Sequence, residues 1–307
     1  MGLVDWIKNY FKSDRMTTPT YYRDGQLFFK ELKKENSILG DRLVINPNKL
    51  KNIASFIQKN EIKSITINPS YFKVDNLDFL KDIPFIEGLY ILQSNLDLSP
   101  LSYLTNLRVF TIDRLEKPLD FTKYQNLEVL GITYSKNTIN IGSCENLFWL
   151  WIDNYSKHDL QELQGLRNLK YLSLYKTAIK NLTGFESLVN IHELHIDSAS
   201  KLESLSGISE NNKQLELVDI YGAKNLTDYS AIIKGESIKR LRFGRTGNIS
   251  SISFLKVLPK LENAVIGMKV EDGDMSFLKD LPEAGFVDYP HYNLKMKDIK
   301  KTKINAT

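Results

Sequence analysis

The phrase L-x-x-L-x-L, with Ile, Val or Phe admitted at the Leu positions, recurs every 20 to 24 residues through most of this 307-residue chain. The full copies are Ile62/Ile65/Ile67, Ile86/Leu89/Ile91, Leu107/Phe110/Ile112, Leu127/Leu130/Ile132, Leu147/Leu150/Ile152, Leu169/Leu172/Leu174, Ile191/Leu194/Ile196, Leu215/Val218/Ile220, Ile238/Leu241/Phe243 and a weaker Leu261/Ala264/Ile266. A partial copy precedes them at Leu43 and Ile45, with Gly40 in the first position. The starts run from 40 to 261 in ten steps, 221 residues in all and 22.1 per step. A repeat this short has no room for a helix pair or a propeller blade; it holds one strand and a return segment. One such coil cannot bury its own apolar face, so each stacks on the last and the Leu columns fuse into a continuous core. A second apolar set, as in Leu77/Phe79/Leu80, Leu98/Leu101/Leu104, Leu182/Phe185/Leu188 and Ile252/Phe254/Leu255, closes the outer side as short helical turns or irregular coil.

Stretches such as Asn95 to Leu107, N-L-D-L-S-P-L-S-Y-L-T-N-L, and Leu169 to Leu188 resemble the short bacterial-type leucine-rich repeats, the class that includes the internalins. The resemblance covers residues 40 to 282. It implies an α/β fold: a right-handed solenoid with a parallel β-sheet on its concave face and short helical or irregular convex segments. The family's Asn at the ninth repeat position is absent; Ser70, Ser94, Leu115, Ser135, Tyr155, Thr177, Ala199, Ala223, Thr246 and Lys269 stand there. A continuous asparagine ladder is therefore not expected, and Ser and Thr hydroxyls take its place in half the copies.

Three segments follow: an N-terminal helical or irregular extension (1–39), the solenoid (40–282) with a cap helix near 49–59, and a C-terminal cap with a basic tail (283–307). Asn48 reads as the cap of that helix, whose Leu50, Ile53, Phe56 and Ile57 share one face. Trp6, Ile7, Tyr10 and Phe11 read as a short amphipathic helix packing on the cap, and Lys295, Lys297, Lys300, Lys301 and Lys303 as a solvated tail. The formal charge of +4 is mild, and the lone Cys144 excludes an internal disulfide and reads as a structural thiol. No leader pattern or long apolar run opens the chain, so the expected location is cytoplasmic.

Function is sought on the strands. Side chains alternate faces, so the third, fifth and seventh positions point away from the core and line up in columns about 4.8 Å apart. The columns place Trp149, Trp151, Tyr171 and Tyr175 on two strands, with Asp153 beside them. Glu193, His195, Asp197, Asp219 and Tyr221 occupy the next two, and Arg240 and Arg242 follow, with Arg245 nearby. Exposed Trp, Tyr and Arg are the usual anchors of protein interfaces. The expected function is a non-enzymatic protein-binding scaffold that holds another protein or peptide on one concave trough. A bacterial adaptor and a toxin-neutralising immunity protein are roles that suit it. The acidic centre suits a basic or mixed-charge partner. Nucleic acid, stacked on the aromatic and Arg surface, is the alternative; the acidic centre opposes it. A metal-dependent enzyme at His195, Asp197 and Asp219 is a further alternative with no spacing motif behind it. No cofactor, metal or membrane partner is expected.

Overall fold

The computed structural model describes residues 19–31 and 38–299. The amphipathic stretch at Trp6 to Phe11 and the Lys300–Lys303 part of the basic tail lie outside them. The chain forms two units, one up to Trp151 and one from Ile152.

In the first unit, β1 (Thr20–Arg23) and β2 (Gln26–Phe29) form an antiparallel hairpin. Here the expected helical or irregular extension is corrected. Asp24 and Gly25 join the strands with φ of 49° and 72°; two successive left-handed residues give the turn whose twist matches paired strands. Next, β3 (Arg42–Val44) pairs antiparallel with β2 and parallel with β4 (Ser64–Ile67). The parallel series continues through β5 (Gly88–Ile91), β6 (Val109–Ile112) and, past the two-residue β7 (Leu119–Asp120), β8 (Val129–Thr133). β7 pairs with β9 (Thr138–Ile139) in a separate ladder, and the chain leaves the unit within β10 (Trp149–Asp153). Leu43, Ile65, Leu89, Phe110 and Leu130 stand in one register, and all are buried. Each fully buried Leu or Ile contributes roughly 1.5–3 kcal/mol before conformational entropy is charged against it.

The second unit repeats the scheme with β11 (Tyr171–Tyr175), β12 (Glu193–Asp197), β13 (Leu217–Tyr221), β14 (Arg240–Gly244) and β15 (Asn263–Gly267), all parallel. Leu172, Leu194, Val218, Leu241 and Ala264 are aligned and buried. A further strand, β16 (Glu283–Phe286), pairs in the same sense beyond residue 282, so the stack runs past the boundary expected from the motif. Its Ala284 and Phe286 continue the core columns although no Leu marks them.

The return segments are short 3-10 turns, such as Phe121–Lys123, Phe185–Ser187 and Ser230–Lys234. An acidic or amide side chain commonly starts them. Asp120 accepts from the Thr122 N–H at 3.1 Å, Asp228 from that of Ser230 at 3.0 Å and Asp274 from that of Ser276 at 3.0 Å. These Asx turns satisfy a backbone donor that a one-turn helix leaves open. The cap helix spans Ile53–Lys59 after a 3-10 turn at Pro47–Asn52. Its approach is capped by Asn46, whose side-chain Oδ1 accepts from the Asn48 N–H, and not by Asn48 itself. Pro47 fixes the first turn and has no N–H to cap, so the preceding residue takes the role.

At the ninth position Leu115, Tyr155, Ala199 and Ala223 are buried and fill the turn with apolar atoms. Thr177 does substitute for the missing Asn, donating through Oγ1 to the Tyr155 carbonyl at 3.2 Å. The chain instead carries an amide ladder just ahead of the first repeat position. In the first unit Asn126 Nδ2 donates to the Thr105 carbonyl at 3.2 Å and Asn146 Nδ2 to that of Gln125 at 2.8 Å. In the second, Asn190 Nδ2 donates to Arg167 at 2.9 Å. Each amide ties one coil to the coil before it.

Candidate functional site

The residues singled out from the sequence divide between the two units. Trp149 and Trp151 belong to the first, the others to the second. Both tryptophans are only 5 % exposed. The expectation that the indoles form an exposed anchor is therefore overturned. The physical reason is column packing: at strand spacing, side chains on the open face of a parallel sheet cover one another. Ser64, Thr66, Val109, Thr111 and Val129, in the same two columns, are buried as well.

In the second unit the expected columns do come together, because β11 to β14 stay in register. Tyr171 lies opposite Glu193, Ser173 opposite His195, and Tyr175 opposite Asp197; His195 in turn faces Asp219, and Asp197 faces Tyr221. Leu217 faces Arg240, Asp219 faces Arg242, and Tyr221 faces Gly244. Asp153, half-buried, precedes Asn154, whose N–H donates to the Tyr175 carbonyl at 2.8 Å. His195 and Asp197 are buried, Ser198 Oγ donating to Asp197 Oδ1 at 2.7 Å. Tyr171, Tyr175, Glu193, Asp219, Arg240 and Arg242 are half-buried, and Tyr221 is 40 % exposed.

The charges on this face are largely matched. His195 Nε2 lies 3.0 Å from Glu193 Oε2, and its Nδ1 lies 3.7 Å from Asp219 Oδ2, an ion-pair separation too long for a hydrogen bond. Arg240 NH2 reaches the other oxygen of Glu193 at 3.1 Å. Burial alone would lower the His195 pKa, but Asp219 and Glu193 outweigh it and raise it above the ordinary histidine value. Burial would raise the Glu193 pKa, yet His195 and Arg240 hold it below the usual carboxylate range. Among the described residues no group of three His, Cys, Asp or Glu is arranged to hold a metal ion.

Cys144 is buried, with Sγ 3.6 Å from the Phe121 carbonyl and 3.9 Å from that of Tyr124. Burial pushes its pKa up to about 12, the setting of an inert structural thiol.

The first unit carries a groove of about 720 Å³ at the N-terminal ends of its strands, lined by Phe85, Glu87, Asn106, Arg108, Asn126, Glu128, Asn146 and Phe148. Sequence reasoning missed it, although the second repeat position alternates Lys63, Glu87, Arg108 and Glu128. Arg108 reaches Glu87 at 2.7 Å and Glu128 at 2.6 Å, and Lys63 completes the ladder 3.3 Å from Glu87. With its guanidinium engaged on both sides, Arg108 fastens three coils and is not free to hold an anion.

No helix among the described residues is long and apolar enough to cross a membrane. No known family model and no curated protein matches the sequence. Several solved structures resemble the chain. An internalin (InlF) from Listeria monocytogenes aligns at 20 % identity and a TM-score of 0.49, over 81 % of this chain and 68 % of that one. Internalin C2 from the same organism aligns at 21 % identity and a TM-score of 0.39, over 62 % and 75 %. The leucine-rich repeat domain of the type III effector XopL aligns at 22 % identity and a TM-score of 0.48, over 63 % and 72 %. At these values the fold rests on this chain's own features: one parallel strand per 22-residue repeat, Leu columns in register and 3-10 return turns. The chain has a leucine-rich repeat fold, and the solved structures it resembles include bacterial internalins.

Proposed function

We propose that the chain is a non-enzymatic scaffold that binds another protein on the open face of the second unit's sheet. The observation that carries this reading is the side-chain set on β11 to β14. Tyr171, Tyr175 and Tyr221 stand among paired charges on a regular sheet, with Tyr221 well exposed. Tyrosine and arginine combine large contact area with a directional polar group, and a regular sheet presents them at little entropic cost on binding. The Glu193–Arg240 and Glu193–His195 pairs supply polar contacts of matched charge. The adaptor and immunity roles are both binding roles and fall under the same test.

Nucleic acid fits this face less well, because Glu193, Asp197 and Asp219 put carboxylates where a phosphate backbone would run. The test is capture of partners from the source organism's lysate by the full chain, with Tyr175→Ser/Tyr221→Ser beside it. The reading expects a discrete protein whose recovery collapses in the double variant while the circular dichroism spectrum is unchanged. Equal recovery by both proteins removes this face as the binding surface.

A further inference from the structure

Two features meet at the far end of this face. The first is charge. Glu193 is engaged by His195 and Arg240, and Asp219 stands at ion-pair distance from His195. The neighbouring Arg242, between Asp219 and Val265 in the fifth column, makes no ion pair among the described residues, and neither does the exposed Arg245. The other acids nearby are turned to local bonds: Glu283 accepts from Asn263, and Asp288 from the Met296 N–H at 2.9 Å. The carboxylates of this face thus gather on β12 and β13, where His195 and Arg240 engage two of them, and the cations that no ion pair engages lie at the β14 end.

The second feature is relief. Gly244 and Gly267 leave the seventh positions of β14 and β15 without a side chain, and Gly285 leaves the fifth position of β16 without one. The Tyr221 ring occupies the space over Gly244, where an added Cβ would lie 2.5 Å from it, and the Arg245 guanidinium sits 5.4 Å from the centre of that ring. Beyond it, Val265 and Val287 are exposed. A low step results, with an aromatic wall, an apolar floor and two arginines at its rim.

We infer that this step, bounded by Tyr221, Arg242, Arg245, Val265 and Val287, takes an acidic segment of the partner protein. A carboxylate meets the guanidinium of Arg242 in a fork geometry, and an adjacent apolar or aromatic side chain covers Val265 and Val287. The inference rests on the protein-binding reading above and reverses the partner's charge from the one expected on sequence alone.

The test is fluorescence anisotropy with the full chain and a labelled Glu-Glu-Phe-Glu-Glu peptide. A Lys-Lys-Phe-Lys-Lys peptide and a short oligodeoxythymidylate are the comparisons. Arg242→Glu/Arg245→Glu is expected to weaken the acidic peptide at least about tenfold. Gly285→Leu is expected to weaken it comparably without unfolding, since a Cβ there meets only Val265 Cγ2 at 3.9 Å. Absence of acidic-peptide binding, unchanged affinity in both variants, or tighter binding of the oligonucleotide overturns the inference. A captured partner that is lost with Tyr175→Ser/Tyr221→Ser but kept with Arg242→Glu/Arg245→Glu overturns it too, while the protein-binding reading stands.

Discussion

Asn212, three residues ahead of its repeat's first Leu, concentrates more hydrogen bonding than the amides of the ladder, and its replacement by Ala separates buried from exposed amides. The side chain is 2 % exposed. Its Nδ2 donates to the Phe185 carbonyl at 3.0 Å and the Leu188 carbonyl at 3.2 Å, and its Oδ1 accepts from the Ser209 N–H at 3.0 Å. Both carbonyls also accept a backbone bond, from Leu188 N at 2.9 Å and Ile191 N at 3.2 Å, so removal of the amide strips a second bond from each. At about 1 kcal/mol net per buried hydrogen bond, three lost bonds cost about 3 kcal/mol. Asn190→Ala removes an exposed donation to the Arg167 carbonyl and an exposed acceptance from Gln214 Nε2 at 3.3 Å, and costs about 1 kcal/mol, since water replaces both partners. Urea unfolding followed by far-UV circular dichroism measures both. If the two variants fall within about 0.5 kcal/mol of each other, the ranking of amides by burial and bond number is wrong.

The His195 pKa is raised in the folded state, so its contribution to stability is full below about pH 6.5 and lost as pH rises through the folded value. Glu193 on its own strand and Asp219 on the next face it, Arg240 stands behind Glu193, and Asp197 lies two residues along. Thermal melts across this range should lose their decline toward higher pH in His195→Gln, and an unaltered slope contradicts the assignment. Trp149→Ala, at a buried position, should cost about 3–5 kcal/mol; a chain that keeps its full stability would return the indole to the surface. Cys144 should resist a disulfide reagent at pH 8 in the native protein and react once unfolded, whereas prompt native reaction refutes its burial.

The repeat alone specified the Leu columns, because a period-22 phrase with alternating burial has one way to share a core, and Leu43 to Ile266 stand where that argument puts them. It specified the side-by-side placement of Glu193, His195, Asp219 and Arg242 for the same reason. Burial of the open face was not legible: alternation says which way Trp149 and Trp151 point, not how fully their neighbours cover them. Nor did composition give the pairing of charges, since Glu193 and Arg240 are 47 residues apart and meet across Leu217. Two further signals lay in plain sight. Asp24-Gly25 between Tyr22-Arg23 and Gln26-Leu27 marks a hairpin, and the Asn at 106, 126, 146, 168 and 190 keeps the repeat's own period one residue ahead of its first Leu.

The most direct test of the binding face places a photo-crosslinking benzoylphenylalanine at position 221 on the sheet or at the exposed Ile233 on a return turn. Irradiation in lysate should give a discrete crosslinked protein from position 221 and none from 233. Adducts from position 233 alone, or of equal yield from both, would put the partner elsewhere on the coil and contradict the account.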